Sequence, residues 1–251
     1  MKKNSEDHTS KKNADTDVIF ENIAAVTREI EGQQDVLRIS IDTKAKVKIG
    51  EFSRHGKSRH PAPACDHDMA PVAVLTPFGI LEVGSGRLTI MFGTSLETSD
   101  SIADGLELWW ETNKPRFGHI QRLVIHADNS PHLKSTRTQF LRRMIAWADA
   151  IGVTIRLVYY PPYHRKYNPI ERCWGILETH WNGTLLSSIA TAVQWAGSMT
   201  WKGINPVVHL VEKVYQKGIK VSKDVMKNLE HRIKRSATLP KWDVIIEPLF
   251  G

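Results

Sequence analysis

The chain has 251 residues, 41% of them hydrophobic and 24% charged, and carries a net charge of +7. That is ordinary globular composition, with room for one large domain and no apolar run long enough to span a membrane. Its basic excess points to a polyanionic partner, most often nucleic acid, while two distant cysteines, Cys65 and Cys173, exclude a disulfide scaffold or zinc knuckle and fit a reducing compartment.

Residues 1–17 are polar, lack the apolar core of a signal peptide, and read as a disordered basic arm. Ile19, Ile23, Val26 and Ile30 then recur at helical spacing, which predicts a helix over 18–30. "VLRISID" (36–42) alternates apolar and polar residues and predicts a strand ending at Asp42. The stretch 43–70 is basic and loop-like. "PVAVLTPFGILEV" and "RLTIMFG" predict two strands joined by "GSG". Ser99 or Asp100 can cap a helix through Trp110, with Ile102, Leu106 and Trp109 on its buried side. "RLVIHAD" (122–128) is a further strand ending in an aspartate. A helix over 136–152 is closed by Gly152, and "TIRLVYY" (154–160) is again a strand. A loop over Pro161–Lys166 leads into a helix from Asn168 to Trp181. Further helices are expected near 187–198, 206–216 and 222–234, before a short tail. The order predicts an α/β domain: a mixed five-stranded sheet with helices on its faces over 18–185, and a C-terminal helical extension over 186–251 packed on it.

Asp42 and Asp128 each stand at the C-terminal end of a predicted strand, where ligand sites of open α/β sheets lie. Glu171 arrives from the start of a helix that follows a later strand. Three carboxylates from separate elements suit hard, oxygen-seeking cations, and a pair of such ions supports phosphodiester chemistry. Each residue has a plainer reading. Asn168-x-x-Glu171, with Pro169 at the first helical position, is a good capping box, and either aspartate alone is an ordinary solvated strand end. The combination, with a basic surface between the members, favours the metal. Glu178, two turns beyond Glu171, is on nearly the same face and is a candidate auxiliary ligand.

The stretches "ISIDTKAKVKIGEFSRHGKSR", "DHD" (66–68), "VLTPFGI", "ADNSP", "STRTQFLRRM", "YYPPYHRKYNPIERCWGILETHWNG", "MTWKGINPVV" and "GIKVSKDVMK" resemble the DDE transposases of bacterial insertion sequences, of the ISAzo type. These are relatives of the Tc/mariner group and of retroviral integrases. The resemblance runs from about Val18 to Ile246. It implies an RNase H-like catalytic domain in which Asp42, Asp128 and Glu171 bind Mg2+, with Mn2+ as a substitute. It also implies Asn129 as an orienting neighbour of the second aspartate that faces DNA, a homodimer assembled on DNA, and a cytoplasmic, nucleoid-associated protein. Two departures stand out. Ser130 occupies a position where glycine is expected. The residues before the first strand are too few for the helix-turn-helix that reads element ends, so the chain is expected to be the catalytic portion.

Lys44, Lys46 and Lys48 alternate after Asp42, and Arg54, Lys57 and Arg59 follow, so this basic run is expected to hold DNA phosphates beside the metal. The plainer reading is an edge strand guarded by lysines. His164, Arg165 and Lys166 flank Glu171 in the same way. Tyr163 and Tyr167 could stack on bases or pack under the loop. Cys65, Asp66, His67 and Asp68 read as a loop bracing the sheet, because adjacent residues rarely converge on one ion. Trp109, Trp147 and Trp174 are expected in the core and Cys173 as a buried thiol. The expected function is metal-dependent DNA cleavage and strand transfer at element ends. The rival is a catalytically silent transposase remnant that only binds DNA; a host nuclease of the same fold is the more distant alternative.

Overall fold

A computed structural model describes residues 16–52 and 70–249, with the side chain of Arg165 outside the description. The helices and strands within these bounds form one mixed sheet with helices on both faces. The first helix, α1 (Thr16–Glu29), buries Ile19, Ile23 and Val26 on a single stripe, as its apolar spacing requires. It begins at Thr16, inside the arm expected to be disordered; the remainder of that arm lies outside the described residues.

The five expected strands are present: β1 (Val36–Thr43), and then β3 (Ala73–Glu82), β4 (Leu88–Gly93), β5 (Arg122–Ala127) and β6 (Thr154–Tyr159). A short β2 (Val47–Ile49) pairs with β3 inside the stretch expected to be loop. Three more strands come from the C-terminal segment: β7 (Val207–Val211), β8 (Ile233–Arg235) and β9 (Asp243–Ile246). The sheet order is β7-β4-β3-β1-β5-β6-β9-β8, with β2 on β3. β1, β5 and β6 are parallel neighbours, and β3 runs antiparallel between β1 and β4. The C-terminal ends of β1, β5 and β6 therefore lie along one sheet edge.

Helix α2 (Ser99–Phe117) is longer than expected, and its cap is Thr98 rather than Ser99 or Asp100. Thr98 Oγ1 accepts from the Ser101 amide at 3.0 Å while Ser101 Oγ accepts from the Thr98 amide at 2.9 Å. Asp100 is used elsewhere, taking hydrogen bonds from Gln139 and Arg143 of α3 (Thr138–Ile151). Gly152 ends α3 with a φ of 67°, the left-handed turn that glycine takes without penalty. Helix α4 (Glu171–Trp181) and α5 (Ile189–Ser198) follow, and α6 (Lys223–Glu230) is shorter than the 222–234 expected because the chain turns into β8.

The expected helix over 206–216 is instead the edge strand β7, parallel to β4. The segment after 185 is thus not a helical extension. It supplies strands at both sheet edges and side chains to both apolar cores: Ile233, Trp242, Val244 and Ile246 join one, and Leu186, Ala192 and Met199 the other. β9 is locked onto β6 by a bidentate pair, Arg156 Nε and Nη2 to Asp243 Oδ1 and Oδ2 at 2.9 and 2.7 Å. Trp109, Trp147 and Trp174 are buried, as is Cys173, whose thiol burial pushes up to about 12. Among the described residues no helix is long and apolar enough to cross a membrane.

Candidate metal and nucleic-acid site

Strand pairing brings the first two carboxylates together. β1 and β5 run parallel with Ser40 opposite His126. Two residues further on each strand, on the same face by the alternation of side chains, stand Asp42 and Asp128. Asp42 is 3% exposed and Asp128 9%. The loop after Asp128 folds back on it, the Ser130 amide donating to Asp128 Oδ1 at 3.3 Å. Ser130 has no left-handed backbone, so serine in place of glycine costs nothing here.

Glu171 is the first residue of α4, and the way α4 is fixed differs from the capping expectation. Helix α4 is entered through a 3-10 turn (Arg165–Tyr167), and no side chain caps it. Asn168 is fully buried and bonds to β1 instead. Its Nδ2 donates to the Ile41 carbonyl at 3.0 Å, and its Oδ1 accepts from Ser40 Oγ at 2.5 Å. Ser40 Oγ in turn accepts from the Ile170 amide at 3.1 Å. These three bonds bolt the residues before Glu171 to the residues before Asp42. One turn along α4, Trp174 Nε1 donates to Asp42 Oδ2 at 3.0 Å. Neither Ser40, Asn168 nor Trp174 was singled out as functional from sequence. The signal available was a polar pair, Ser40 and Asn168, set among apolar residues.

The close approach of α4 to the sheet depends on Gly79, the β3 residue opposite Asp42. A Cβ there would lie 2.7 Å from both Ile170 Cδ1 and the Trp174 ring. Gly79→Ala is therefore expected to push α4 outward and cost about 1–3 kcal/mol, the scale of core overpacking. Thermal melting checks this; an unchanged melting temperature would mean that α4 shifts freely.

Electrostatically the three carboxylates form one unit. Burial, and after it the charges of Asp128 and Glu171, together push the Asp42 carboxyl up to about 8, against the opposing hydrogen bond from Trp174. Among the described residues no three His, Cys, Asp or Glu side chains close tightly enough to enclose an ion. The donor set nevertheless fits one: oxygen ligands of like charge, partly desolvated, whose repulsion a divalent cation relieves.

The expected basic contacts divide. Lys44 is ion-paired to Glu178, Nζ to Oε1 at 2.5 Å, which makes both residues part of the β1–α4 junction. Lys46 and Lys48 are exposed beside β2, Lys48 over the Phe52 ring. Lys166 is exposed over the Tyr167 ring. His164 packs between Phe20 and Tyr167, its Nδ1 2.7 Å from the Pro162 carbonyl. Asn129 and Lys166 line a cavity of about 510 Å³ that opens on Asp128. Arg54, Lys57, Arg59, the Cys65–Asp68 loop and the Arg165 side chain lie outside the described residues.

A family model described as "Rhodopirellula transposase DDE domain" matches residues 1–248. Among solved structures, the fold is similar to a Mos1 transposase paired-end complex with left transposon end, with 9% identity and a TM-score of 0.52. It is equally similar to a Mos1 mariner paired-end complex with Mn, with 10% identity and a TM-score of 0.50. Each match covers 78% of this chain and 57% of the other, and at such identity the likeness is one of fold. No curated protein matches.

Proposed function

The chain belongs to the transposase DDE domain family named above, and from that premise we propose that it cleaves DNA at the ends of an insertion sequence and joins the freed end to target DNA. One observation carries the reading: a buried Asp42 held against the negative charges of Asp128 and Glu171 at a single sheet edge. In this reading Asp42, Asp128 and Glu171 hold Mg2+, or Mn2+ in its place. The bound ions would lower the pKa of water or of a 3′-hydroxyl and stabilise the leaving oxygen. Protein side chains supply ligands and positioning, and no residue is a covalent nucleophile. Ser40 and Asn168 set the helix start against the strand end. Trp174 orients Asp42. The exposed Lys46, Lys48 and Lys166 hold phosphates without reading sequence. DNA ends and target are the partners, engaged by a homodimer.

The test is strand cleavage by purified protein on labelled DNA carrying the element's terminal repeats, with Mg2+ or Mn2+. Cutting by the parent protein and none by Asp128→Ala is expected, with non-specific DNA binding retained by both. Metal-dependent cutting by Asp128→Ala would reject the assignment. DNA binding with no cutting by the parent would favour the silent remnant.

A further inference from the structure

The segment after β7 runs exposed over 216–219 and closes a second cavity, of about 210 Å³, against the starts of α2 and α3. Its walls come from the loops that follow β4, β5 and β7. These strands all run in the direction of β1, so the cavity lies along the same sheet edge as Asp42 and Asp128. The loop after Asp128 serves both cavities: Asn129 and Ser130 line the one that opens on Asp128, His132 and Arg137 line this one.

Three buried atoms in this lining have no hydrogen-bond partner among the described residues: Arg137 Nε, His132 Nδ1 and Gln139 Oε1. Gln139 is 5% exposed, and its other amide atom is already engaged, Nε2 donating to Asp100 Oδ1 at 2.8 Å. Its oxygen is thus an obligate acceptor in the cavity wall. Arg137 Nε is an obligate donor, and His132 Nδ1 takes either role by tautomer. Arg137 is also the N-cap of α3, a helix that no side chain caps, so the first-turn amides add positive potential at the same place. Lys217 adds a second cation. The carboxylate in the lining, Asp100, is neutralised by Arg143 at 2.9 Å.

An occupant that satisfies these groups is anionic, accepts from Arg137 and still donates to Gln139. Sulfate and the diesters of an intact DNA strand have no proton to donate. A phosphate that keeps a P–OH group meets all three conditions. The cavity is smaller than the roughly 300–1,000 Å³ pockets of drug-sized ligands and far larger than one water needs.

We propose that this cavity binds a protonated phosphate group, its oxygens accepting from Arg137 and its hydroxyl donating to Gln139. Two sources share this chemistry: inorganic phosphate, and the 5′-phosphate of a DNA strand end, the group left when hydrolysis frees a 3′-hydroxyl. The second source rests on the DNA-cleavage reading above; the site itself does not.

Isothermal titration calorimetry of the full chain, at pH 6 in EDTA, compares inorganic phosphate with sulfate at equal ionic strength. At about pH 6 half of a phosphate monoester holds its second proton. The parent is expected to bind phosphate roughly 5- to 150-fold more tightly than sulfate, the scale of leaving one buried acceptor unpaired. Arg137→Gln should lose both anions. Gln139→Met should bring the two affinities together, with its melting temperature as the folding control. Lys217→Gln, at an exposed position, should weaken both anions by roughly 2- to 5-fold and keep their ratio. No phosphate binding by the parent overturns the proposal and leaves the cavity to water. Equal binding of the two anions by the parent, phosphate binding that survives Arg137→Gln, or a phosphate preference that survives Gln139→Met overturns it too. Anisotropy of fluorescein-labelled duplexes in the same buffer separates the sources. Tighter binding of 5′-phosphate ends than of 5′-hydroxyl ends, erased by Arg137→Gln, identifies the DNA end; equal binding of the two duplexes identifies inorganic phosphate. No metal is present in either measurement, so the site and the cleavage reading stand or fall separately.

Discussion

Asp42→Asn is expected to raise the melting temperature of the metal-free protein at pH 8 while cutting metal-dependent cleavage by roughly 10³-fold or more, the scale of removing one member of a catalytic unit. The two effects have one cause. The Asp42 carboxyl sits at about 8 in the folded chain against an ordinary value of 3.8. Between about pH 4 and pH 8 the folded state therefore holds a proton that the unfolded state has released, and stability falls as pH rises through that window. Below about pH 4 both states are protonated and the penalty is absent. Asparagine is neutral throughout and can still accept the Trp174 hydrogen bond, so the variant loses the penalty and keeps the contact. The stabilisation is of the order of a few kcal/mol at pH 8, because each pKa unit is worth about 1.4 kcal/mol, and it vanishes near pH 4. Mg2+ should raise the melting temperature of the parent at pH 8 and leave the variant nearly unmoved. Coincident melting curves for the two proteins from pH 5 to pH 8 would contradict a buried, charge-coupled Asp42.

Asn168→Ala is the second large effect. It removes both hydrogen bonds of a fully buried side chain and leaves the Ile41 carbonyl unsatisfied, with Ser40 Oγ losing its acceptor. Unmade buried hydrogen bonds cost about 1–3 kcal/mol each, so a loss of roughly 2–6 kcal/mol is expected for the two, read as a melting temperature lower by several degrees or more. The residues freed are those that lead into Glu171. A displacement of about 1 Å at a reacting centre can cost about 10²-fold in rate, so cleavage should fall by that order at temperatures where the variant is fully folded. Ser40→Ala should act in the same direction, and the double variant should fall short of the sum because the two side chains share a bond. Full cleavage by a destabilised Asn168→Ala would make the bolt a matter of folding alone.

The contrast between Asn168 and Asp42 shows what local pattern can reveal. Asp42 and Asp128 were legible because each ends a strand whose alternation is plain, and parallel pairing does the rest. Asn168-x-x-Glu171 satisfies a local capping pattern, but the partner that claims Asn168 is Ser40, 128 residues earlier in sequence. No window of helical length contains both. The error at 206–216 has a similar origin. Val207, Leu210, Val211 and Val214 fall at helical spacing, while the strand they form is fixed by pairing with β4. β2, β8 and β9 span only three or four residues, too few for a period to register, and exist through their partners. The alternation of Lys44, Lys46 and Lys48 predicts one shared face. Lys44 instead bridges to Glu178, because the chain leaves β1 before the alternation continues.

The most direct test of the account is Mn2+ binding, followed by the electron paramagnetic resonance of the free ion at pH 8, for the parent protein beside Glu171→Gln. Glutamine keeps the length and helix-forming tendency of the side chain and removes its charge. The parent is expected to deplete free Mn2+, and the variant, folded and equally helical, to bind it far more weakly. Equal depletion by both would contradict it, leaving Glu171 as a residue that begins a helix and holds no metal.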